Sequence, residues 1–422
     1  MKYFWVILIC IADLLLFGCK PSRSAAMAVE TGQKTILAAI GQEESMSKLT
    51  MGANEQDDEP VVCKVYIENS ASMDGYVNGA TDFKKFLYDY CSLLRNHGGK
   101  LEFYYANKRI IPYKASLEDF IQNLTPQTFR ARGGDRSNTE LPELIESILE
   151  DMEEDNVALI VSDFLYSPKE ESYISRDTWI QNIFSEYLRK HPDNALIVYR
   201  LESEFKGNYY DRDDDRFSID AQRPYFIWIT GPSDCLQTLV NSYSLKTLSR
   251  GKTANALFLD SRDAIEVPYN IVLGSGNFRL DRRDPHAIVD ARKNVRGIET
   301  NLLTFRVNVS LEALFCSEDY LLDPANYELG DRDYKLTVSR SQNPGFTHTL
   351  SFSSPIVKPS SLNVQLKKRL PSWVVQYDDP IGDGISDTLM SKTYGLAYLL
   401  KGAWAAYTLH NDTYATIRVK IN

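Results

Sequence analysis

The chain has 422 residues, room for two or three domains of ordinary size and at least one large core. Apolar residues make up 43% and charged residues 25%, which excludes a disordered chain, a collagen-like chain and a polytopic membrane protein. Its 47 basic and 57 acidic residues leave a formal charge of -10, the wrong sign for a phosphate backbone, so no nucleic-acid partner is expected. The five histidines, His97, His191, His286, His348 and His410, are far apart in sequence, so there is no HExxH zinc motif.

Lys2 precedes an apolar run over 3–17 that is interrupted by Asp13. The run is short for a bilayer span and suits a signal-peptide core. It ends in Leu16-Phe17-Gly18-Cys19, which resembles a bacterial lipobox, with Phe17 departing from the usual small or branched residue. The resemblance implies a signal peptide over 1–18, a lipid on Cys19, and a bacterial cell-envelope protein held at the membrane by that lipid alone. Residues 19–59 are rich in Ser, Ala, Gly and acids and read as a flexible tether. Beyond Cys10 and Cys19 there are Cys63, Cys91, Cys235 and Cys316, without a CxxC pair. Three disulfide pairings, or none, are open to them.

From Val61 the pattern becomes that of a folded body. Residues 61–67 form a β-rich run. Apolar spacing predicts a helix over 82–95, a strand over 101–105, and helices over 117–124 and 141–152. The near-continuous apolar stretch 157–164 is a strand, 179–188 a helix, 195–201 and 225–230 strands, and 235–248 a helix. This alternation predicts an α/β domain over about 60–250, with a doubly wound, mostly parallel sheet. Residues 255–422 then offer short strands at 267–273, 303–309, 334–338, 346–352 and 362–366, a late helix over 389–407 and a final strand at 417–421. Alternation such as Leu362, Val364, Leu366 against Asn363, Gln365, Lys367 predicts a β-rich, sandwich-like domain.

In an open α/β sheet, ligands bind at the carboxyl ends of the strands. The first strand runs into Glu68-Asn69-Ser70-Ala71-Ser72-Met73, the stretch 157–164 contains Ser162-Asp163, and Gly133-Gly134 leads through Thr139 into a helix. Here the chain resembles a von Willebrand factor A (VWA) domain over 170 to 190 residues, with Glu68, Ser70, Ser72, Thr139 and Asp163 on the positions of that family's metal-ion-dependent adhesion site (MIDAS). The resemblance implies a Mg²⁺ (or Mn²⁺ or Ca²⁺) bound by hydroxyls and carboxylates. An open coordination position would then take an acidic side chain from a protein partner. Glu68 stands where the family has Asp, and the added methylene carries the carboxylate about 1.5 Å further. It either displaces a water and binds the metal itself, or fills the site and abolishes binding. Ser137 is an alternative to Thr139.

Other signals read as structure. Asp211-Arg212-Asp213-Asp214-Asp215-Arg216 lacks the Gly and Glu of a Ca²⁺ loop and reads as a solvated acidic loop within an insertion at about 204–223. The acid- and Gly-containing stretch 379–387 reads as a turn. Gly251-Lys252-Thr253 lacks the earlier Gly of a phosphate loop, and no GxSxG elbow occurs. His97 reads as a helix-end cation and His348 as a satisfied buried histidine. The sequence thus favours a binding module, with a metal-free scaffold or assembly lipoprotein as the alternative and a hydrolase as a third reading.

Overall fold

A computed structural model describes residues 60–422 apart from 137–139, 167–174, 243–246, 248, 250, 251, 253 and 298. The expected signal peptide, tether and lipid-bearing Cys19 lie outside these residues.

The first sheet has seven strands: β1 (Val62–Glu68), β2 (Lys100–Ala106), β3 (Ile110–Tyr113), β4 (Val157–Ser162), β5 (Asn194–Tyr210), β6 (Arg216–Pro232) and β7 (Asn255–Asp260). Their order is β3-β2-β1-β4-β6-β5-β7. β1 pairs in parallel with β2 and β4. β3, β6 and β7 each run against their neighbours. The sheet is therefore mixed, and the expectation of a mostly parallel sheet is corrected at β6. No helix separates β5 from β6, and a parallel neighbour needs a crossover. The expected insertion at 204–223 is instead the far half of a hairpin whose strands pair from Asn194↔Pro232 to Tyr210↔Arg216.

Every residue of β4 is buried, as its apolar sequence requires of a central strand covered on both faces. On one face Leu196, Val198 and Trp228 pack against Ile145 and Ile148 of helix Leu141–Glu150 and Ile180 and Phe184 of helix Arg176–Lys190. On the other, Tyr199 meets Phe86 and Tyr90 of helix Asp82–Asn96 edge-on. That helix is capped from across the sheet: its first amides donate to Glu204 Oε2 (2.8 Å) and Ser203 Oγ (3.0 Å) of β5. Such a cap satisfies amide donors that helix geometry leaves open.

After β7 come β8 (Ile265–Glu266), β9 (Tyr269–Ile271), β10 (Asn277–Leu280), β11 (Ala287–Arg292), β12 (Leu303–Val309), β13 (Tyr327–Leu329), β14 (Lys335–Arg340), β15 (His348–Ser354) and β16 (Ser360–Lys367). The two-residue strands β17 (Asp378–Asp379) and β18 (Thr393–Tyr394) pair with each other, and β19 (Thr413–Ile421) closes the chain. One sheet is ordered β10-β11-β19-β16-β13 with β8 beside β19, and another β14-β15-β12-β9. Phe305, Val307, Leu350 and Phe352 of the second meet Leu362, Val364, Ile417 and Val419 of the first in one core.

The stretch 372–407 does not belong to that core. Trp373, Val374, Leu396, Leu399, Leu400 and Ala403 join the core of the first sheet. Helix Leu396–Tyr407 starts later than the 389–407 expected, after Gly395 at φ +75°. It crosses helix Arg176–Lys190 closely: a Cβ on Gly402 would lie 2.5 Å from the Asp177 carbonyl oxygen and 2.6 Å from Ile180 Cβ. Gly→Ala in a helix interior gains about 0.5–1 kcal/mol of propensity, whereas forcing atoms into a packed contact costs about 1–3 kcal/mol. Gly402→Ala is therefore expected to lower the urea midpoint. An unchanged or raised midpoint contradicts the close crossing.

Among the described residues, Cys63, Cys91, Cys235 and Cys316 form no disulfide. Burial pushes Cys63 up to about 12 and Cys235 up to about 11, and raises Cys91 and Cys316 as well. Because only the thiolate attacks, iodoacetamide at pH 8 is expected to leave Cys63 and Cys91 unmodified in the native chain and to label both in denaturant. Peptide mass mapping reads this out; a Cys63–Cys91 disulfide, or native labelling of either, contradicts it.

Candidate functional site

The parallel register of β1 and β4, which sets Ile67 beside Val161, brings Glu68 level with Ser162 at the carboxyl edge of the sheet. The Ser162 hydroxyl donates to Glu68 Oε2 and accepts the Phe164 amide at 2.8 Å. Just beyond β1, Ser70 Oγ and Ser72 Oγ lie 2.9 Å apart. The Ser72 hydroxyl lies close enough to the Asp163 carboxyl to favour its charged form. Four of the five expected site residues, Glu68, Ser70, Ser72 and Asp163, thus meet at one edge. The fifth, Thr139, lies outside the described residues, as does its alternative Ser137.

Three residues not singled out in the sequence hold this edge in shape. Asn69, fully buried, donates its amide to Ala106 O (2.9 Å) and its side chain to Phe129 O (3.2 Å). Asn107 Nδ2 donates to Asn69 Oδ1 (2.8 Å) and to Gly133 O (3.0 Å). A Cβ on Gly134 would collide with the Asn107 amide, so the Gly-rich loop must carry Gly there to come this near. Arg136 donates to Asn69 O (2.6 Å) and Ser70 O (3.0 Å) and pairs with Asp74, while its own carbonyl accepts the Ala71 amide at 3.1 Å. The signal that could have found them is a polar residue directly after an apolar strand, since buried amides must find partners.

Electrostatics single out Asp163. It is 4% exposed, and burial raises its carboxyl above the ordinary carboxylate range. The Ser72 hydroxyl, the Leu165 amide (3.3 Å from Oδ1) and the charge of Arg223 oppose that rise. Arg223 itself is buried, and its Nη1 is engaged by Leu389 O (3.1 Å) and Met390 O (2.9 Å). A desolvated carboxylate beside two hydroxyls is a chemically apt place for a hard cation. Adjacent ligands of an octahedral Mg²⁺ with bonds near 2.1 Å sit about 3 Å apart, and the 2.9 Å between the serine hydroxyls matches that edge. The donor set therefore fits a divalent ion: Ser70 and Ser72 directly, and the carboxylates directly or through water.

The two acidic stretches set aside in the sequence meet each other. Asp211 is buried, so a solvated loop is the wrong description of it. Its carboxylate accepts the amides of Asp213 (3.0 Å), Asp215 (2.9 Å) and Gly384 (3.0 Å). Asp379 Oδ1 accepts the amides of Ile381 (3.0 Å) and Gly382 (3.1 Å). Both acids build turns. Among the described residues no group of three or more His, Cys, Asp or Glu could hold a metal. Hydroxyl ligands, which carry the candidate edge, fall outside that set.

His348 is buried, but not fully satisfied as expected. Its Nδ1 lies 2.8 Å from Thr347 Oγ1, its Nε2 has no hydrogen-bond partner, and burial lowers its pKa. It lines a cleft of about 1200 Å³ with Phe258, Glu318, Arg340 and Trp373, distant in sequence from the β1–β4 edge. Gly251 and Thr253 lie outside the described residues.

No protein family, no curated protein and no solved structure matches the chain.

Without divalent ions, the folded state binds the Asp163 proton more tightly than the unfolded chain does. That contribution favours the fold below the unfolded value, near pH 4, and is lost as pH rises through the folded value. Asp163→Asn keeps an acceptor and removes the charge. In EDTA, urea melts are expected to show the variant gaining on wild type between about pH 4 and pH 7. A wild type that outlasts the variant by more at pH 7 contradicts this.

Proposed function

We propose that this is a lipid-anchored protein of the bacterial cell envelope whose first domain is VWA-like and captures a protein partner through a divalent cation. In this reading Ser70, Ser72 and Asp163 hold Mg²⁺ or Mn²⁺, Thr139 completes the set, and an acidic side chain of the partner fills the open position. The observation that carries the reading is the pair of serine hydroxyls 2.9 Å apart at the sheet edge that also holds the buried carboxyl of Asp163. Glu68 takes a supporting part: its extra reach is used on Ser162, which orients it beside the ion.

A metal-free scaffold is the second reading. It is favoured by the fact that Ser70 and Ser72 already hydrogen-bond each other, as do Glu68 and Ser162.

Calorimetry separates the two. The full chain in detergent, stripped with EDTA, is titrated with Mg²⁺ and with Mn²⁺. Saturable heat is expected from wild type, weakened at least about tenfold in a Ser70→Ala, Ser72→Ala double variant that has lost two direct ligands. Equal heats, or none from wild type, reject the cation and leave the scaffold.

A further inference from the structure

Two turns at one end of the β10–β11 ribbon carry a combination found in neither the first sheet nor the β1–β4 edge. Leu273 and Val295 stand at their tips, 68% and 81% exposed. Single exposed aliphatics are ordinary on protein surfaces; these two belong to turns fastened to each other. Val272 donates to Arg306 O (2.8 Å), Thr304 Oγ1 donates to Ser275 O (3.3 Å), and Asn294 Nδ2 donates to Thr304 Oγ1 (2.9 Å). Asn277 Nδ2 reaches Lys293 O at 3.4 Å, and Gly276 packs so near the Thr304 carbonyl that no Cβ fits. The tips are therefore held out, with no neighbour to bury them.

Around them the charge reverses the sign of the chain. Arg292, Lys293, Arg296 and Arg306 are all exposed, and among the described residues none of the four makes an ion pair. Asp290, the nearest acid on β11, is taken by Arg279 (2.7 Å to Nε). Glu299 is the one acid in the 292–306 stretch. Four cations against one acid within fifteen residues of a chain whose net charge is -10 form a local field opposite to the whole.

We propose that the paired turns 272–276 and 292–297 are a docking surface for an anionic bilayer. Leu273 and Val295 enter the headgroup boundary and the four cations meet lipid phosphates. Aliphatic tips on turns whose own and adjoining strand residues are Arg and Lys suit the polar–apolar boundary of a membrane, where each kind of side chain finds its own medium. A protein partner would have to supply both an apolar pocket for each tip and acids around it. This surface does not use the cation site, so either can fail alone.

The test compares the full chain reconstituted into vesicles of phosphatidylcholine alone and of equal parts phosphatidylcholine and phosphatidylglycerol. Amide hydrogen exchange is followed over 272–276 and 292–297. Exchange there is expected to slow about tenfold in the anionic vesicles and to return to the neutral-vesicle rate at high salt. The slowing should also be lost in Arg292→Gln, Lys293→Gln, Arg296→Gln, Arg306→Gln, with exchange in β12 and β15 unchanged as a control for folding. Equal exchange in the two vesicle types overturns the proposal. So does protection by polyglutamate with anionic vesicles inert, which assigns the surface to an acidic protein instead.

Discussion

The site depends on one pairing. Because β1 and β4 run side by side in parallel, the residues that follow each strand emerge at the same edge. A reversal of either would send Ser70 and Asp163 to opposite ends of the sheet. The pairing is secured by desolvation: β4 is buried throughout, as is nearly all of β1, so separating them would expose apolar side chains and unpaired backbone groups. The same burial that fixes the strands removes water from Asp163 and raises its carboxyl.

Around that pairing the scaffold is tightened by long-range polar contacts. Helix Asp82–Asn96 is capped by β5. Asn69 and Asn107 tie the β1 and β2 ends together, and Arg136 clasps the serine loop. A cation between two hydroxyls and a carboxylate needs its ligands fixed to within a fraction of an ångström, which loops provide only when held from outside. The 372–407 stretch belongs to the same scaffold, since its helices join the core of the first sheet although they lie between β16 and β19 of another sheet in sequence.

Much of this was legible in the residues. The apolar runs at 61–67 and 157–164 announce the two strands that matter, and Ser70, Ser72 and Asp163 are recognisable because they follow such runs. The direction of β6 was misread, although the lack of a helix between 201 and 225 carried the information: without a crossover, a neighbour must be antiparallel. Asn69, Asn107 and Arg136 have no periodic signal; their roles exist only once three loops are close in space. The allegiance of helix Leu396–Tyr407 was hidden for a related reason. Its partner, helix Arg176–Lys190, is more than 200 residues away, and an apolar helix face does not say what covers it. Asp211 reads as one more acid in a run of acids, and only the amides that converge on it distinguish it from its exposed neighbours.

The central claim is that the serine pair binds a hard cation directly, with Asp163 reaching it directly or through one water. Crystals of the full chain grown with Mn²⁺ and measured at the manganese edge test it most directly. The account predicts an anomalous peak about 2.1–2.3 Å from both Ser70 Oγ and Ser72 Oγ, within one water of Asp163. A well-ordered β1–β4 edge with no peak, or with the two serines still hydrogen-bonded to each other in saturating Mn²⁺, would contradict it.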